Sequence, residues 1–278
     1  MGANQGSPKS SGPTKKPARK KSSNMSIGSN VDEVKVNEED AFQIIELLRE
    51  HEIDLNPNLS HSYILKLNLE ANIEGVQNFL KKAVKLTLPP IRGIWVSPIS
   101  FMNENSLQNL SDFLTYSTAP YLRVFELKTI NTGIEGIETG LQAVLPKVRK
   151  QTIFNNFFLK QSDIQIIFNS STNVKELVIF NWEIGELDDN LSFDTESSFR
   201  LQQLSLWLTS EQDDDDDDKL TVQKLDTFLG ALSKTNIKET LVDICINSPN
   251  SNLKKIEDSF WTHGFNVNIR DKPIVMDL

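Results

Sequence analysis

The stretch NVKELVIFNWEIG, residues 173–185, places Val174, Leu177, Ile179, Trp182 and Ile184 within eleven positions. Neither the alternation of a half-exposed strand nor the three-four rhythm of a helix fits that spacing. Written as apolar residues at positions one, four and six of a short block, the pattern returns along the chain. It recurs as Leu201, Leu204 and Leu206, as Leu122, Phe125 and Leu127, and as Ile91, Ile94 and Val96. It is found again as Ile64, Leu67 and Leu69, and as Leu241, Ile244 and Ile246. Two copies are imperfect: Val148 and Ile153 flank Gln151, and Gly264 opens a block containing Val267 and Ile269. The starts at 64, 91, 122, 148, 174, 201, 241 and 264 are separated by 27, 31, 26, 26, 27, 40 and 23 residues. Five of the seven intervals lie between 26 and 31, so the block is an internal repeat.

Helical patterns fill the intervals. Val76, Phe79, Leu80 and Ala83 follow the first block, Leu107, Leu110, Phe113 and Leu114 the second, and Ile137, Leu141 and Val144 the third. Ile164, Ile167 and Phe168 follow the fourth block, Val222, Leu225, Phe228 and Leu229 the sixth, and Leu253, Ile256 and Phe260 the seventh. After the fifth, Leu187, Leu191 and Phe193 sit among acids and serines, and an irregular connection is expected. Ahead of the repeats, Asn37 with Asp40 marks a helix start, Ala41, Ile44, Ile45, Leu47 and Leu48 supply an apolar face, and Asn56-Pro57-Asn58 reads as a closing turn.

A short strand and a helix every 26 to 31 residues resembles a leucine-rich repeat in its longer, ribonuclease-inhibitor-like form, over residues 60–278. The family block reads L-x-x-L-x-L-x-x-N/C-x-L. Asn72 and Asn156 match the N/C position, and Phe158 and Ile184 the last apolar one. Trp182, Ile99, Ile130, Thr209 and Pro249 depart from it. The resemblance implies an α/β solenoid with a parallel sheet on the concave face and helices on the convex face. It also implies that Asn72 and Asn156 hydrogen-bond the turning backbone. The expected organisation is a disordered basic tail over 1–36, a capping helix and turn over 37–59, and about eight repeats over 60–278 with an acidic insertion at 209–221.

Alternation along each strand sends positions three, five and seven of each block to the concave face. Position five gives Asn68, Trp95, Glu126, Thr152, Val178, Ser205, Cys245 and Asn268. Position seven gives Glu70, Ser97, Lys128, Phe154, Phe180, Trp207, Asn247 and Arg270. With strands about 4.8 Å apart, Phe154, Phe180 and Trp207 are expected to form a contiguous aromatic stripe. Trp95, Lys128, Phe154, Phe180 and Trp207 are therefore the candidate partner contacts. The alternative is that a one-residue register slip buries the rings as ordinary core.

Charge is divided unevenly. Residues 1–31 hold Lys9, Lys15, Lys16, Arg19, Lys20 and Lys21 and no acid; the remaining 23 basic and 38 acidic residues leave −15. That tail has almost nothing apolar to bury and is expected to be disordered. KKPARKK at 15–21 suits nuclear import or an anionic lipid surface. Gly2 is a candidate myristoylation acceptor, although Gly6 stands where the motif wants Ser or Thr. The run EQDDDDDDKL, residues 211–220, lacks the alternation and the glycine of a calcium loop, and reads as an extended, solvated loop.

No phosphate loop, dinucleotide fingerprint, nucleophile elbow or zinc pattern occurs. His51 reads as an exposed helix end, His263 as a turn residue, and the lone Cys245 has no histidine near it in sequence. No enzyme, cofactor or metal is expected. The expected function is protein–protein interaction, as a scaffold, adaptor or subunit binding a partner on the concave face. The alternative is a peripheral membrane or nuclear regulator located by its tail, and GTPase activation is a weaker third. The acidic body disfavours nucleic acid, and any membrane contact would come through the tail. One cysteine and no apolar leader fit an intracellular, cytoplasmic place, with nucleus or membrane as alternatives. Limited proteolysis should trim residues 1–31 before cutting the body, as mass spectrometry of the fragments would show; early cleavage within the body instead would contradict the division.

Overall fold

The computed structural model describes residues 38–53, 55–57, 63–83, 91–116, 122–184, 187–188, 190–196, 198–208, 215–241, 243–247 and 253–269. The chain divides into two units, Met1–Val34 and Lys35–Leu278, of which the first lies outside those residues. The second begins with α1 (Glu38–Glu50), β1 (Leu55–Pro57), β2 (Tyr63–Asn68), α2 (Ile73–Ala83) and β3 (Ile91–Ser97). There follow α3 (Glu104–Tyr116), β4 (Leu122–Thr132), α4 (Glu138–Val144), β5 (Val148–Leu159), α5 (Gln161–Ser170) and β6 (Glu176–Ile184). It closes with β7 (Gln203–Leu208), α6 (Asp215–Leu232), α7 (Ile237–Thr240), β8 (Asp243–Asn247), α8 (Leu253–Thr262) and β9 (Asn268–Ile269).

Among the described residues the strands form one sheet in the order of the sequence. β1 pairs antiparallel with β2, and every pair from β2 to β9 is parallel. Helices touch in series, α1 to α2, α2 to α3, α3 to α4, α4 to α5 and α6 to α8. Their apolar stripes share one core with the strands. Phe79 meets Phe113 edge-on at 5.7 Å, Phe168 meets Phe228 at 5.3 Å, and Trp182 meets Phe228 at 5.5 Å. Gly140 lets α4 approach α3: its N–H donates to Ser111 Oγ at 3.0 Å, and a Cβ there would lie 2.7 Å from Ser111 Cα.

Asn72 ties the start of the sheet together. Its Nδ2 donates to the carbonyl of His51 at 2.7 Å, and its Oδ1 accepts from the Gly75 N–H at 2.9 Å. One side chain thus satisfies a carbonyl at the end of α1 and an amide in the first turn of α2, groups that helix ends leave unpaired. Asn156 and Asn181 occupy equivalent places on β5 and β6 with left-handed φ of 60° and 48°, and their amides hydrogen-bond each other. Asparagine tolerates that conformation better than most residues. The turn it makes interrupts alternation, so Phe154, Phe157 and Leu159 are all buried on β5, as are Ile179 and Trp182 on β6.

Four expectations are corrected. The first concerns Asn56-Pro57, which is part of edge strand β1 and not only a turn; an edge position suits a residue with no N–H to give. The acidic run is the second. Asp215 to Asp218 lie in the first turn of α6, where the helix dipole favours acids, so the run is not wholly an extended loop. Third, the first block is misplaced. Leu65, Leu67 and Leu69 are buried while Ile64 is not, and Leu67 pairs with Val96. The fourth is Phe154, which is fully buried, between Leu127 and Ile179 on the ladder. Two residues of β4, from Leu122 to Val124, span three of β5, from Val148 to Gln151. That extra residue shifts the rest of β5 by one, so Thr152 and Phe154 face the core and Ile153 faces away. Gln151 standing at position four was its trace in the sequence. The connection between β6 and β7 is irregular as expected, since residues 187–202 hold no described helix or strand.

Two substitutions test the β5 register. Phe154→Ala should cost about 3–5 kcal/mol by opening a core cavity. Thr152 is buried with no hydrogen-bond partner for its hydroxyl among the described residues, so Thr152→Val should stabilise by about 1 kcal/mol. Urea unfolding reads both, and two near-neutral results would restore the unshifted register.

Candidate partner-binding face

The ladder fixes which side chains share the face turned away from the core. One row runs Lys66, Trp95, Glu126, Ile153, Val178 and Ser205; the next holds Asn68 and Ser97, then Lys128, Asn155 and Phe180, with the Trp207 ring against Phe180. Of the expected contacts, Trp95, Lys128, Phe180 and Trp207 lie on this face, each half-buried. Phe154 does not; Asn155 takes its rung between Lys128 and Phe180. The expected stripe of three rings is therefore a pair. Phe180 and Trp207 have centroids 4.8 Å apart and planes inclined by 56°, a tilted arrangement that aromatic rings favour.

Ile153 and Val178 are buried on this face, outside the main core, beside the ring pair on the ladder. Asn155 Oδ1 is also buried, with no hydrogen-bond partner among the described residues. The centre of the face is therefore apolar and contains one unsatisfied acceptor. The half-buried Phe180 and Trp207 rings are what this apolar centre leaves partly exposed, and apolar surface with a polar border is what binding sites present.

A second cluster surrounds Trp95. The ammonium of Lys66 lies 5.9 Å from the centre of the Trp95 ring, within cation–π range. Trp95 hydrogen-bonds the Glu126 carboxyl. Glu126 is only 9% exposed, and its pKa lies above the ordinary carboxylate value. Desolvation by burial raises it; the Trp95 hydrogen bond and the charges of Lys128 and Lys66 pull the other way. Beside this cluster a cleft of about 300 Å³ is lined by Glu52, Ile53, Lys66, Asn68, Asn72 and Trp95. Lys66 was missed because the first block was read two places late; the Leu65-Leu67-Leu69 alternation marked the true phase.

Of the histidines, His263 belongs to a fastening between two helices. Ser259 Oγ donates to Asp226 Oδ1 at 2.5 Å, and His263 Nε2 lies 3.0 Å from the same oxygen, which ties α8 to α6. The hydroxyl points at the carboxylate and not at the imidazole, so there is no nucleophile–base contact. His51 is largely buried at the end of α1, not exposed as expected, with Nε2 3.8 Å from Glu50 Oε1. Cys245 is level with Ser205 and Asn268 on the ladder. Among the described residues no group of His, Cys, Asp or Glu is placed to hold a metal, and no helix is long and apolar enough to cross a membrane. Gly2 and the 15–21 cluster lie outside the described residues. No protein-family model, curated protein or solved structure matches the chain.

Glu126 generates a signed pH dependence. Its pKa is higher in the folded chain than in the unfolded one. This group therefore costs stability once pH rises above the folded value, and the cost disappears as pH falls below the ordinary value. Glu126→Gln keeps an acceptor for Trp95 without the charge. Its stability relative to the parent should be more favourable at pH about 7 than at pH about 4, by thermal or urea unfolding at both. An equal difference at the two pH values would reject the buried, ionisable state.

Proposed function

We propose that the chain is a divergent leucine-rich-repeat solenoid that serves as a non-enzymatic interaction module, a scaffold, adaptor or assembly subunit. On this proposal it holds a partner protein on the face turned away from its helices. The observation that carries it is the half-buried Phe180–Trp207 pair, set beside buried Ile153 and Val178 and bordered by Lys128 and Asn155. Support for the repeat comes from the even spacing of the blocks, the sequential parallel sheet, and Asn72 bonded to the preceding turn. The partner would present apolar side chains to the ring pair and an acceptor to Lys128 at its border. Large aromatics in a desolvated centre are the usual energetic anchors of such contacts. A cytoplasmic place for the module is part of this proposal.

The test introduces a photocrosslinking residue at 180 or 207, with position 261 on α8 as a control on another element. A protein captured from both face positions and not from the control is then purified and titrated against Phe180→Ala with Trp207→Ala. Each ring is worth about 1.5–3 kcal/mol if fully buried, so affinity should fall by about tens- to thousands-fold with little loss of folded protein. Unchanged affinity would reject the site, and loss of the folded state would reclassify the rings as core.

A further inference from the structure

A different part of the same sheet carries charge out of keeping with the rest of the molecule. Between Leu122 and Lys175 the chain has seven basic residues and four acidic ones, whereas the whole chain is at −9. Much of that excess falls at one edge, where the strands begin. Arg149 and Lys150 open β5, Lys175 directly precedes β6, and Arg200 lies just ahead of β7.

Backbone hydrogen bonds fix their neighbourhood. The Lys175 N–H donates to the Lys150 carbonyl at 3.2 Å, and the Lys175 carbonyl accepts from Gln202 and Gln203 at 2.8 and 2.9 Å. The Arg200 N–H donates to the Thr172 carbonyl at 2.9 Å. Lys150 and Lys175 are thus neighbours on strands about 4.8 Å apart, and Arg200 lies beside Thr172, three residues before Lys175, toward the same end of the sheet. Lys150, Lys175 and Arg200 are exposed and Arg149 half-buried, and among the described residues none of the four is ion-paired with a carboxylate. Lys147, in the turn before β5, has its ammonium pKa pushed down by burial, a sign that water is partly excluded there.

We infer that this edge, across β5, β6 and β7, is a docking strip for an acidic, Asp/Glu-rich segment of a partner protein. Like charges so placed repel one another, and an anion laid along them relieves that repulsion. The occupant's shape follows from the surroundings. Outside the tail the chain is at −15, and charges within about 10 Å of a ligand are felt at physiological salt. A broad polyanion, such as a membrane surface or a nucleic-acid duplex, would bring charge against that acidic body. A narrow peptide meets the strip alone. Two strand spacings, about 10 Å, match about three residues of extended chain. Half-buried Glu176, one place further along β6, keeps the anion at the edge instead of deeper on the face. The strip lies five residues, about 16 Å, from the Phe180–Trp207 pair along β6, so it stands apart from that contact.

The test uses the full chain with Lys9, Lys15, Lys16, Arg19, Lys20 and Lys21 changed to glutamine, which removes the competing tail charges. A labelled oligo-glutamate peptide is titrated by fluorescence anisotropy, with an oligo-glutamine peptide, phosphatidylserine vesicles and a short DNA duplex as comparisons. The acidic peptide should bind, and about tenfold less tightly as salt rises from about 50 mM to about 200 mM. Lys150→Glu with Lys175→Glu should weaken it by about tenfold or more, and the milder Lys150→Gln with Lys175→Gln by less. Lys81→Glu with Lys255→Glu, on α2 and α8, should change it little, and Phe180→Ala with Trp207→Ala should leave it intact. If charge reversal unfolds the chain, as circular dichroism would show, the glutamine pair decides. No binding to oligo-glutamate, binding indifferent to the two lysines, or tighter lysine-dependent binding to vesicles or duplex would each overturn the inference.

Discussion

A strand parallel to its predecessor cannot be reached by a tight turn; the chain must first travel back along the sheet. From β2 to β9 the chain meets this demand at every step, and each time lands in the next position. Crossovers of one hand, all stepping the same way, fall on one face. That accounts for helices that touch in series and share a single core with the strands. Alternate residues of every strand are therefore placed on the far face whatever their chemistry. Packing against helices dictates the residues on one side, and the other side is free to hold Trp95, Lys128, Phe180 and Trp207.

The spacing of apolar residues made the strand–helix alternation legible because burial on one face leaves a periodic trace. Strands β2, β3, β4, β6, β7 and β8 begin within two residues of the starts read from that trace. Much of the rest escaped because it depends on single residues. One extra residue in β5 exchanges Phe154 for Asn155 on the far face, and a period of two magnifies such a slip into a reversal of every side chain beyond it. The Asn156 and Asn181 backbone turns bring Phe157 and Trp182 into the core in the same way. Had the departure of Trp182 from the repeat consensus been read as a change of direction, its burial would have been expected. The basic edge was invisible for another reason. Arg149, Lys175 and Arg200 are scattered in sequence and meet only through the ladder.

The two faces also differ in how they handle charge. Within the core the described strands and helices bury almost only apolar side chains. On the far face Glu126 is nearly enclosed, and is tolerated because Trp95 donates to it and two lysines stand near. A buried carboxylate so supported resists loss of any one partner poorly, since each removal leaves desolvation less compensated. Trp95 is therefore tied to a neighbour's ionisation as well as to whatever packs against its ring. Asp163 on α5 is the counterpart among the helices: burial raises its pKa, and the Lys160 N–H and the Ser162 hydroxyl donate to it.

The order of the sheet also bears on how the protein is made. Each strand from β3 onward pairs with one already synthesised, about one strand–helix unit earlier, and none waits for a distant segment. A nascent chain leaving the ribosome can therefore add each new strand to an existing edge, so ordered growth can keep pace with translation. Chains stopped early would carry an unfinished edge, a bare template for another chain. Among the described residues the last position is held by the two residues of β9, while Pro57 stands in the strand at the opposite edge. A strand of two residues and one that holds a proline each offer few backbone groups for another strand to pair with.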